Sequence, residues 1–206
     1  MTTILATIPM LVLTGGPCAG KSTVLEYLRT SLPNAAFVPE AATVLLSGGY
    51  PAPGREVEYS DHWRYNFQGA ILDLQQRLES FWAHEARETG KQLLVLDRGV
   101  LDGAAYTPGG AAEFAATYGL NIEATLQRYH WVYHLESLAT GDPASYGKQG
   151  NAERMESLEE AAELELATRE VWSTHPRQTI FASESNIGRK ADKVLEQILT
   201  DLASLD

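Results

Sequence analysis

A run of eight residues, Gly-Gly-Pro-Cys-Ala-Gly-Lys-Ser at positions 15–22, constrains this chain more than any other part of its sequence. The run matches the pattern G-x-x-x-x-G-K-[S/T] at every fixed position. An apolar strand candidate at 10–13 precedes it, and an amphipathic helix candidate at 21–31 follows it. Glycines let successive backbone N–H groups point inward at phosphate oxygens, and a helix start adds the positive end of its dipole. The sequence therefore predicts a phosphate loop between the first strand and the first helix.

Two side chains of this phosphate loop have specific predicted roles. Lys21 is long enough to reach the β and γ phosphates, and the Ser22 hydroxyl is the expected Mg²⁺ ligand. Cys18 is the one cysteine of the chain. A redox role is the alternative for it, but we favour a small side chain that the loop tolerates. The residues predicted to bind the nucleotide are Gly15, Gly16, Pro17, Cys18, Ala19, Gly20, Lys21, Ser22 and Thr23.

A second carboxylate follows another apolar run. The run 93–96 ends on Asp97, and Arg98 comes next. An aspartate here either ligates Mg²⁺ or simply ends a strand, and the phosphate loop in the same chain favours the ligand. Arg98 either clamps a phosphoryl group or an acceptor, or pairs with an acidic neighbour. Asp102 and Tyr106 lie on the same stretch, and for each a place in the cleft and a cap or core-edge position stay open.

Apolar runs alternate with helical patterns along the chain, which is typical of an α/β fold. The strand candidates are 10–13, 36–38, 93–96, 130–135 and 179–182. The helix candidates are 21–31, 41–46, 61–90, a stretch through Gly109 and Gly110 to about 128, 156–172, and a final helix around 194–202. We predict a P-loop NTPase fold of three layers, α/β/α, around a five-stranded and mostly parallel sheet. It would form one domain over residues 1–206.

The composition excludes several other classes of protein. Sixteen basic residues face 27 acidic ones, for a net charge of −11, which argues against a surface for duplex nucleic acid. No apolar run approaches the roughly 20 residues of a membrane span. Residues 1–9 contain no Lys or Arg, so they make a poor signal peptide. A single cysteine allows no intrachain disulfide and disfavours a zinc site. The default location is the cytoplasm.

These motifs resemble small P-loop kinases of the nucleoside and nucleotide kinase type. Those proteins carry an Asp-Arg or Glu-Arg pair after the third strand and a carboxylate soon after the second that contacts the acceptor hydroxyl. The closer resemblance is to the AAA-like domain family of small P-loop proteins, which includes the nicotinamide riboside kinase domain of bacterial NadR proteins. The matching segments, spread over most of the chain, are Thr14–Ser22, Val38–Ala42, Phe67-Gln68, Asp97–Gly99, Asp102, Ala105-Tyr106 and Arg154–Glu156.

The resemblance implies ATP or GTP with Mg²⁺, and a five-strand core in which the phosphate loop and Asp97 lie on adjacent strands. It leaves the acceptor open, because members are assigned as kinases, as ATPases and as regulatory nucleotide-binding proteins. No guanine-reading Asn-Lys-x-Asp segment is present. We therefore expect ATP in preference to GTP.

Two further features bear on catalysis. Glu40, at the end of a strand candidate, is our candidate for the group that accepts or orients the acceptor proton, and the alternative is a cap for the helix at Ala41. Residues 141–156 contain three glycines and are our candidate lid. Arg154, or else Lys148, would then neutralise charge on the transferring phosphoryl. The alternative is an ordinary surface loop in which Arg154 pairs with a nearby glutamate.

Weaker signals receive simpler interpretations. His130 and His134 share one face of a strand candidate, but no third ligand accompanies them, so a metal site is not expected. The four tryptophans fit core or core-edge positions, and nothing selects one of them to stack on a base. The acidic run 153–170 is interpreted as a solvated helix face.

We predict an enzyme that moves the γ phosphoryl of Mg-ATP to a small hydroxyl-bearing acceptor, nucleoside-like or another metabolite. The predicted catalytic residues are Lys21, Glu40, Asp97, Arg98 and Arg154, and the predicted Mg²⁺ ligands are Ser22 and Asp97. The alternatives are a nucleotide-dependent switch that binds a protein or lipid partner, and a plain NTPase in which Glu40 orients water. The oligomeric state stays open.

Overall fold

A computed structural model of the chain describes residues 8–146 and 157–205. Its five strands are β1 (Met10–Thr14), β2 (Ala35–Val38), β3 (Leu93–Asp97), β4 (Trp131–Leu135) and β5 (Gln178–Phe181). They form one sheet in the order β2-β3-β1-β4-β5, and every neighbouring pair is parallel.

The register of the sheet decides what surrounds the end of β1. Leu13 lies opposite Asp97 of β3, and Thr14 lies opposite His134 of β4. Because parallel strands end at the same edge, the residues that follow β1, β3 and β4 meet there. The expectation that the phosphate loop and Asp97 lie on adjacent strands is confirmed.

Helices cover both faces of the sheet. The α-helices are α1 (Lys21–Ser31), α2 (Ala41–Ser47), α3 (Asp61–Glu88), α4 (Gly110–Tyr118), α5 (Ile122–Leu126), α6 (Leu138–Gly141), α7 (Leu158–Val171) and α8 (Ile187–Ala203). Two 3₁₀ helices span Val100–Tyr106 and Pro143–Ser145. Among the described residues, no helix combines the length and apolar character needed to cross a bilayer.

Alternating strand residues build two cores. Leu11 and Leu13 of β1 pack with Val24 and Leu28 of α1 and with Ile198 of α8 on one face. On the other face, Val12, Leu94 and Leu96 pack with Ala86 of α3 and with Trp172, which follows α7. Strands buried on both faces explain the continuous apolar runs in the sequence. The predicted three-layer α/β/α fold is confirmed.

The stretch after β3 departs from its prediction. We expected one helical stretch to about residue 128, but the chain forms the 3₁₀ helix 100–106 and then the separate helices α4 and α5. Gly110 and Gly119 have φ of +62° and +68°, which breaks a regular helix at both places. Asn121 then caps α5, its side chain accepting from the backbone N–H of Ala124.

Candidate active site

The phosphate loop connects β1 to α1 and is shaped by two glycines. Gly15 has φ of +145°, and a Cβ there would lie 2.3 Å from the Leu135 carbonyl oxygen. Gly20 has φ of +84° at the N-cap of α1, and a Cβ there would lie 2.4 Å from Cδ1 of Ile187. A side chain at either position would force the surrounding structure to move. The sequence pattern therefore places glycine where this fold requires it.

Lys21 begins α1 and folds back over the phosphate loop. Its Nζ donates to the carbonyl oxygens of Gly15 at 2.9 Å and Gly16 at 3.3 Å. Burial, together with nearby Arg98, lowers the Lys21 pKa to about 8, although the carboxylates of Asp97, Glu40 and Asp102 oppose the shift. The ammonium group thus lies within electrostatic range of these four charged residues.

Asp97 ends β3 beside the phosphate-loop strand, and its environment suits a metal ligand. Its Oδ1 is buried and has no hydrogen-bond partner within residues 8–146 and 157–205. Burial and the neighbouring Glu40 raise the Asp97 pKa to about 6. An unsatisfied buried carboxylate oxygen is costly unless something binds it, so this donor fits Mg²⁺.

Ser22, the other predicted Mg²⁺ ligand, lies in the first turn of α1 and is exposed. In the described part of the chain, no three His, Cys, Asp or Glu side chains cluster as a complete metal site. Mg²⁺ bound with a nucleotide usually takes only one or two protein oxygens and completes its shell with phosphate oxygens and water. The residues present therefore fit Mg²⁺ that arrives with a nucleotide.

Arg98 joins two carboxylates at this edge of the sheet. Its Nε donates to Oε1 of Glu40 at 2.7 Å, and its Nη1 donates to Oδ1 of Asp102 at 3.1 Å. The structure shows Arg98 paired with acidic neighbours, and its contact with a phosphoryl group or an acceptor stays a prediction. Its φ of +67° is unusual for a residue with a side chain, and such strain tends to persist at functional sites.

Glu40 stands just after β2 and at the N-cap position of α2, but its side chain makes no cap bond. Its Oε1 accepts from Arg98, and its Oε2 accepts from the Thr43 hydroxyl at 2.5 Å. Burial pushes the Glu40 pKa upward, but Arg98, Thr43 and Lys21 together outweigh it and hold the pKa below its ordinary value. Glu40 is thus an ionised carboxylate, and the cap alternative is not what its side chain does.

Asp102 is buried, and its side chain caps the start of the 3₁₀ helix 100–106. Its Oδ1 accepts from the Thr14 hydroxyl as well as from Arg98. Its Oδ2 accepts from the Gly99 N–H at 2.8 Å and from Trp172 Nε1 at 3.2 Å. With four donors around it, Asp102 ties the end of β1 to the start of the 3₁₀ helix that follows β3.

A cavity of about 300 Å³ opens beside these charged groups. Its charged end is formed by Glu40, Arg98 and Asp102, and Arg64 also lines it. Two glutamines of α3, Gln68 and Gln75, contribute amide groups. The apolar part of its wall is formed by Ala41, Tyr59, Trp63, Phe67, Ile71 and Tyr106. Small-molecule sites are mostly apolar cavities of this kind with a few polar groups.

A family model described as "AAA domain" matches residues 10–190. The chain belongs to this AAA-domain family. The match covers the phosphate loop, Glu40, Asp97 and Arg98, so the chain carries a nucleotide-binding domain, for which Mg²⁺ is the usual partner ion. It does not single out the riboside kinase members. A search of curated proteins finds no significant match.

Our interpretation of the sequence missed a buried carboxylate that contacts the phosphate loop of the AAA domain. Glu165 of α7 falls within the acidic run expected to be solvated, yet its side chain is only 2% exposed. Its Oε2 accepts from the N–H of Gly16 in the phosphate loop at 2.7 Å, and its Oε1 lies 2.6 Å from Nε2 of the buried His134. The expectation of an entirely solvated face is therefore wrong at this position.

Two more residues support the phosphate loop of this AAA domain from outside. Lys190 of α8 donates from Nζ to the carbonyl oxygens of Ala19 at 3.1 Å and Glu136 at 2.7 Å. Burial lowers the Lys190 pKa to about 8. The Ser137 hydroxyl donates to the carbonyl oxygen of Pro17. Both side chains donate to carbonyl oxygens of the loop backbone, which do not depend on the residue type in the loop. Neither residue therefore belongs to a sequence motif.

Most of the lid candidate of the AAA domain, including Lys148 and Arg154, lies outside the described residues. The described part, 141–146, contains the end of α6 and the 3₁₀ helix 143–145. The roles of Arg154 and of a lid therefore stay predictions.

Proposed function

We propose that this AAA domain is a phosphotransferase that moves the γ phosphoryl of Mg-ATP to a small hydroxyl-bearing acceptor. The observation that carries the proposal is the cavity next to Arg98 and Asp102, with Glu40 in its wall. A protein that only hydrolysed its nucleotide would need room for a water molecule, whereas a cavity of about 300 Å³ has the size of a small-molecule site.

Glu40 has the position and charge that an acceptor hydroxyl requires. It is ionised, it lines the cavity, and it lies close enough to Lys21 for each to shift the pKa of the other. A hydroxyl seated in the cavity would donate its hydrogen bond to Glu40, leaving its oxygen free to attack phosphorus. Arg98 holds the Glu40 carboxylate in place through the 2.7 Å bond from Nε.

The phosphate loop would bind the nucleotide through Gly15–Thr23, with Lys21 against the β and γ phosphates. Ser22 and Asp97 would hold Mg²⁺, which when bound neutralises charge on the phosphate oxygens. Arg98 and Arg154 would offset the charge that develops during transfer, Arg154 from the lid candidate. Positioning and electrostatics of this kind account for most of phosphoryl-transfer catalysis.

The test is ADP formation from Mg-ATP, with and without a pool of nucleosides, vitamins and sugar-like alcohols. We expect a large rise with the pool and a phosphorylated product after the pool is divided. Lys21→Ala should abolish the activity. Glu40→Gln should lower the acceptor-dependent rate by about 10²- to 10⁴-fold while nucleotide binding persists. Glu88→Gln, an exposed site at the end of α3, serves as the matched control.

Each alternative has its own signature in the same assay. A slow rate that no acceptor changes, and that Glu40→Gln still lowers, would replace the proposal with a plain NTPase. A slow rate that also ignores Glu40→Gln would favour a nucleotide-dependent switch. Activity that survives Lys21→Ala would overturn the whole assignment of the site.

A further inference from the structure

We infer that Glu79, a buried carboxylate of α3, is a positioning residue that sets the direction of the Arg98 side chain by holding the backbone at 98–100. The inference rests on the proposed function, because Arg98 orients Glu40, the group assigned there to the acceptor hydroxyl. It is carried by the left-handed backbone of Arg98, by the side chains bonded on either side of Gly99, and by the carboxylate atom on which they meet.

The backbone at Arg98 has a conformation that its surroundings must hold. Its φ of +67° lies in the left-handed region, which residues with a side chain rarely adopt. Such a residue keeps this conformation only where neighbouring groups fix it. Because Cβ turns with the backbone, a relaxed backbone would carry the guanidinium away from its 2.7 Å bond with Glu40. The direction of the Arg98 side chain therefore depends on what holds the chain here.

Two side chains hold the peptide groups on either side of Gly99. Before Gly99, the Arg98 carbonyl oxygen accepts from Gln75 Nε2 at 3.1 Å. After Gly99, the Val100 N–H donates to the Tyr129 hydroxyl oxygen at 3.1 Å. Both peptide groups are thus tied to side chains from elsewhere in the fold, one from α3 and one from the segment that leads into β4.

Glu79 joins these two side chains at one atom. Its Oε1 accepts from Gln75 Nε2 at 3.0 Å and from the Tyr129 hydroxyl at 3.0 Å. Its Oε2 accepts from Arg128, and its side chain is only 1% exposed. Because Glu79 takes the hydroxyl hydrogen of Tyr129, the lone pairs of that hydroxyl are left for the Val100 N–H. An apolar residue at position 79 would leave both side chains free to turn.

Glu79 lies apart from the surface on which an acceptor would bind. Both Glu79 and Tyr129 are outside the wall of the cavity that the described residues form. Gln75 belongs to that wall, so a change there would also alter the cavity itself. Glu79 is therefore the better position for a test. Arg128, whose side chain is 36% exposed, offers the control, because its loss removes the ion pair but not the bonds to Gln75 and Tyr129.

The first test compares Glu79→Leu with Arg128→Met in the full chain, by ADP formation from Mg-ATP with the undivided pool of acceptors. We expect Glu79→Leu to lower kcat by about 10- to 100-fold, as the loss of a residue that orients a catalytic group does. The KM for Mg-ATP should change by less than about threefold, because the phosphate loop is untouched. Arg128→Met should lower the Tm but keep kcat within about twofold of the wild type.

A double substitution shows whether Glu79 acts through Arg98. Residues that act through one another have non-additive effects. In a chain that already carries Arg98→Ala, adding Glu79→Leu should lower kcat by no more than about a further twofold. A second fall as large as the one in the wild-type background would overturn the inference, because Glu79 would then act by another route.

The second test observes the Arg98 side chain and needs no turnover. A hydrogen-bonded arginine Nε–H exchanges slowly with water, so it gives a nuclear magnetic resonance signal in ¹⁵N-labelled protein. Arg98→Lys identifies the signal, because lysine lacks this group. We expect the signal in the wild-type chain and in Arg128→Met, since both keep the bond from Nε to Glu40. In Glu79→Leu it should shift or disappear.

The results that overturn the inference are specific. An unchanged Arg98 signal in a folded Glu79→Leu chain would do so, and so would an unchanged kcat. Equal falls in kcat for Glu79→Leu and Arg128→Met would show that stability, not positioning, is at work. If Glu79→Leu does not fold, Tyr129→Phe takes its place, since it removes one hydroxyl and keeps the ring. An unchanged Arg98 signal in Tyr129→Phe would then overturn the inference.

The inference and the proposed function fail in different ways. Pool-dependent ADP formation that Glu79→Leu leaves intact would overturn the inference and preserve the phosphotransferase. A loss of the Arg98 signal in Glu79→Leu but not in Arg128→Met, with no phosphorylated product from any acceptor, would overturn the proposed function. It would leave Glu79 as the residue that directs the Arg98 side chain.

Discussion

At the scale of single residues, the side chain of Arg98 pairs with two carboxylates at once. Its planar guanidinium pairs with Glu40, which follows β2, and with Asp102, which lies in the 3₁₀ helix after β3. A lysine has one charged atom and could not keep both geometries. The sequence identified the Asp97-Arg98 pair but left the partner of Arg98 open. Its two carboxylates lie 58 residues before it and four residues after it.

Lys21 leads to a prediction about protons. Its pKa in the nucleotide-free protein is about 8, because burial disfavours the charged form. A polyphosphate against the ammonium group favours that form and raises the pKa. At pH 8 about half of the lysines are neutral before binding, so binding should take up about half a proton. Calorimetry in buffers of different ionisation enthalpy measures this uptake.

The lowered pKa of Lys21 also sets the direction in which the affinity for Mg-ATP changes with pH. Well below pH 8 Lys21 is charged in both states, so the affinity for Mg-ATP should fall by no more than about twofold between about pH 7 and 8. As pH rises further, the free lysine loses its proton and the affinity should fall by up to about tenfold per pH unit. Lys21→Arg, which stays charged, should remove the dependence. An unchanged affinity up to pH 9.5 in the wild-type chain would contradict the prediction.

At the scale of elements, Glu165 connects α7 to the phosphate loop. Glu165→Ala would leave the Gly16 N–H and His134 without their acceptor in a buried site. Each of the two unsatisfied groups costs about 1–3 kcal/mol, so the free energy of unfolding should fall by about 2–6 kcal/mol. The KM for Mg-ATP should rise as the loop loses its support. Urea denaturation and initial-rate kinetics measure the two effects.

Glu163 provides the control on the same helix. It is two residues away and exposed, so Glu163→Ala should change the free energy of unfolding by no more than about 0.5 kcal/mol. Glu165→Gln keeps an oxygen for the Gly16 N–H and should recover part of the lost stability. Equal unfolding free energies for Glu165→Ala and Glu163→Ala would show that the contact with Gly16 contributes nothing.

Local signals explain which elements could be predicted from the sequence. The phosphate loop, the five strands and α1, α3 and α8 each carry their pattern within one continuous stretch. Glu165 does not, because its partner Gly16 is 149 residues away and an acidic helix face is ordinarily solvated. A signal was nevertheless present: Ala161, Glu165 and Thr168 are spaced four and three residues apart, and all three are buried.

The cavity was beyond prediction for a related reason. Its walls come from α2, α3 and the 3₁₀ helix after β3, and only the packing of these elements makes a concave surface. The sequence therefore pointed to Glu40 but did not distinguish among the four tryptophans. Trp63 is the one whose position in the cavity the structure reveals, because α3 turns that face toward Glu40 and Arg98.

At the scale of the whole molecule, nucleotide binding should stabilise the fold. A ligand at 100 times its Kd stabilises the native state by about 2.7 kcal/mol. For a chain of this size that corresponds to a rise in Tm of about 5–10 °C. We expect this rise with Mg-ATP, a smaller one when Mg²⁺ is chelated, and none for Lys21→Ala. Thermal unfolding by circular dichroism measures it.

Two results of the thermal-unfolding experiment would contradict the prediction in different ways. A Tm that Mg-ATP leaves unchanged in the wild-type chain would contradict nucleotide binding at the phosphate loop. An equal rise in Lys21→Ala would mean that the nucleotide binds elsewhere.

The acidic composition adds a whole-molecule expectation, since a net charge of −11 leaves duplex DNA without a basic surface to bind. That expectation stays a prediction.

The bonds that Lys190 makes have a consequence for the order of events during synthesis. Its partner Ala19 in the phosphate loop lies 171 residues earlier in the chain. At about 5–20 residues per second, a ribosome takes roughly 10 to 35 seconds to cover that distance. During that interval the phosphate loop has been synthesised, but α8 and the contact from Lys190 are still missing. A nascent chain should therefore acquire its nucleotide only after α8 has emerged from the exit tunnel.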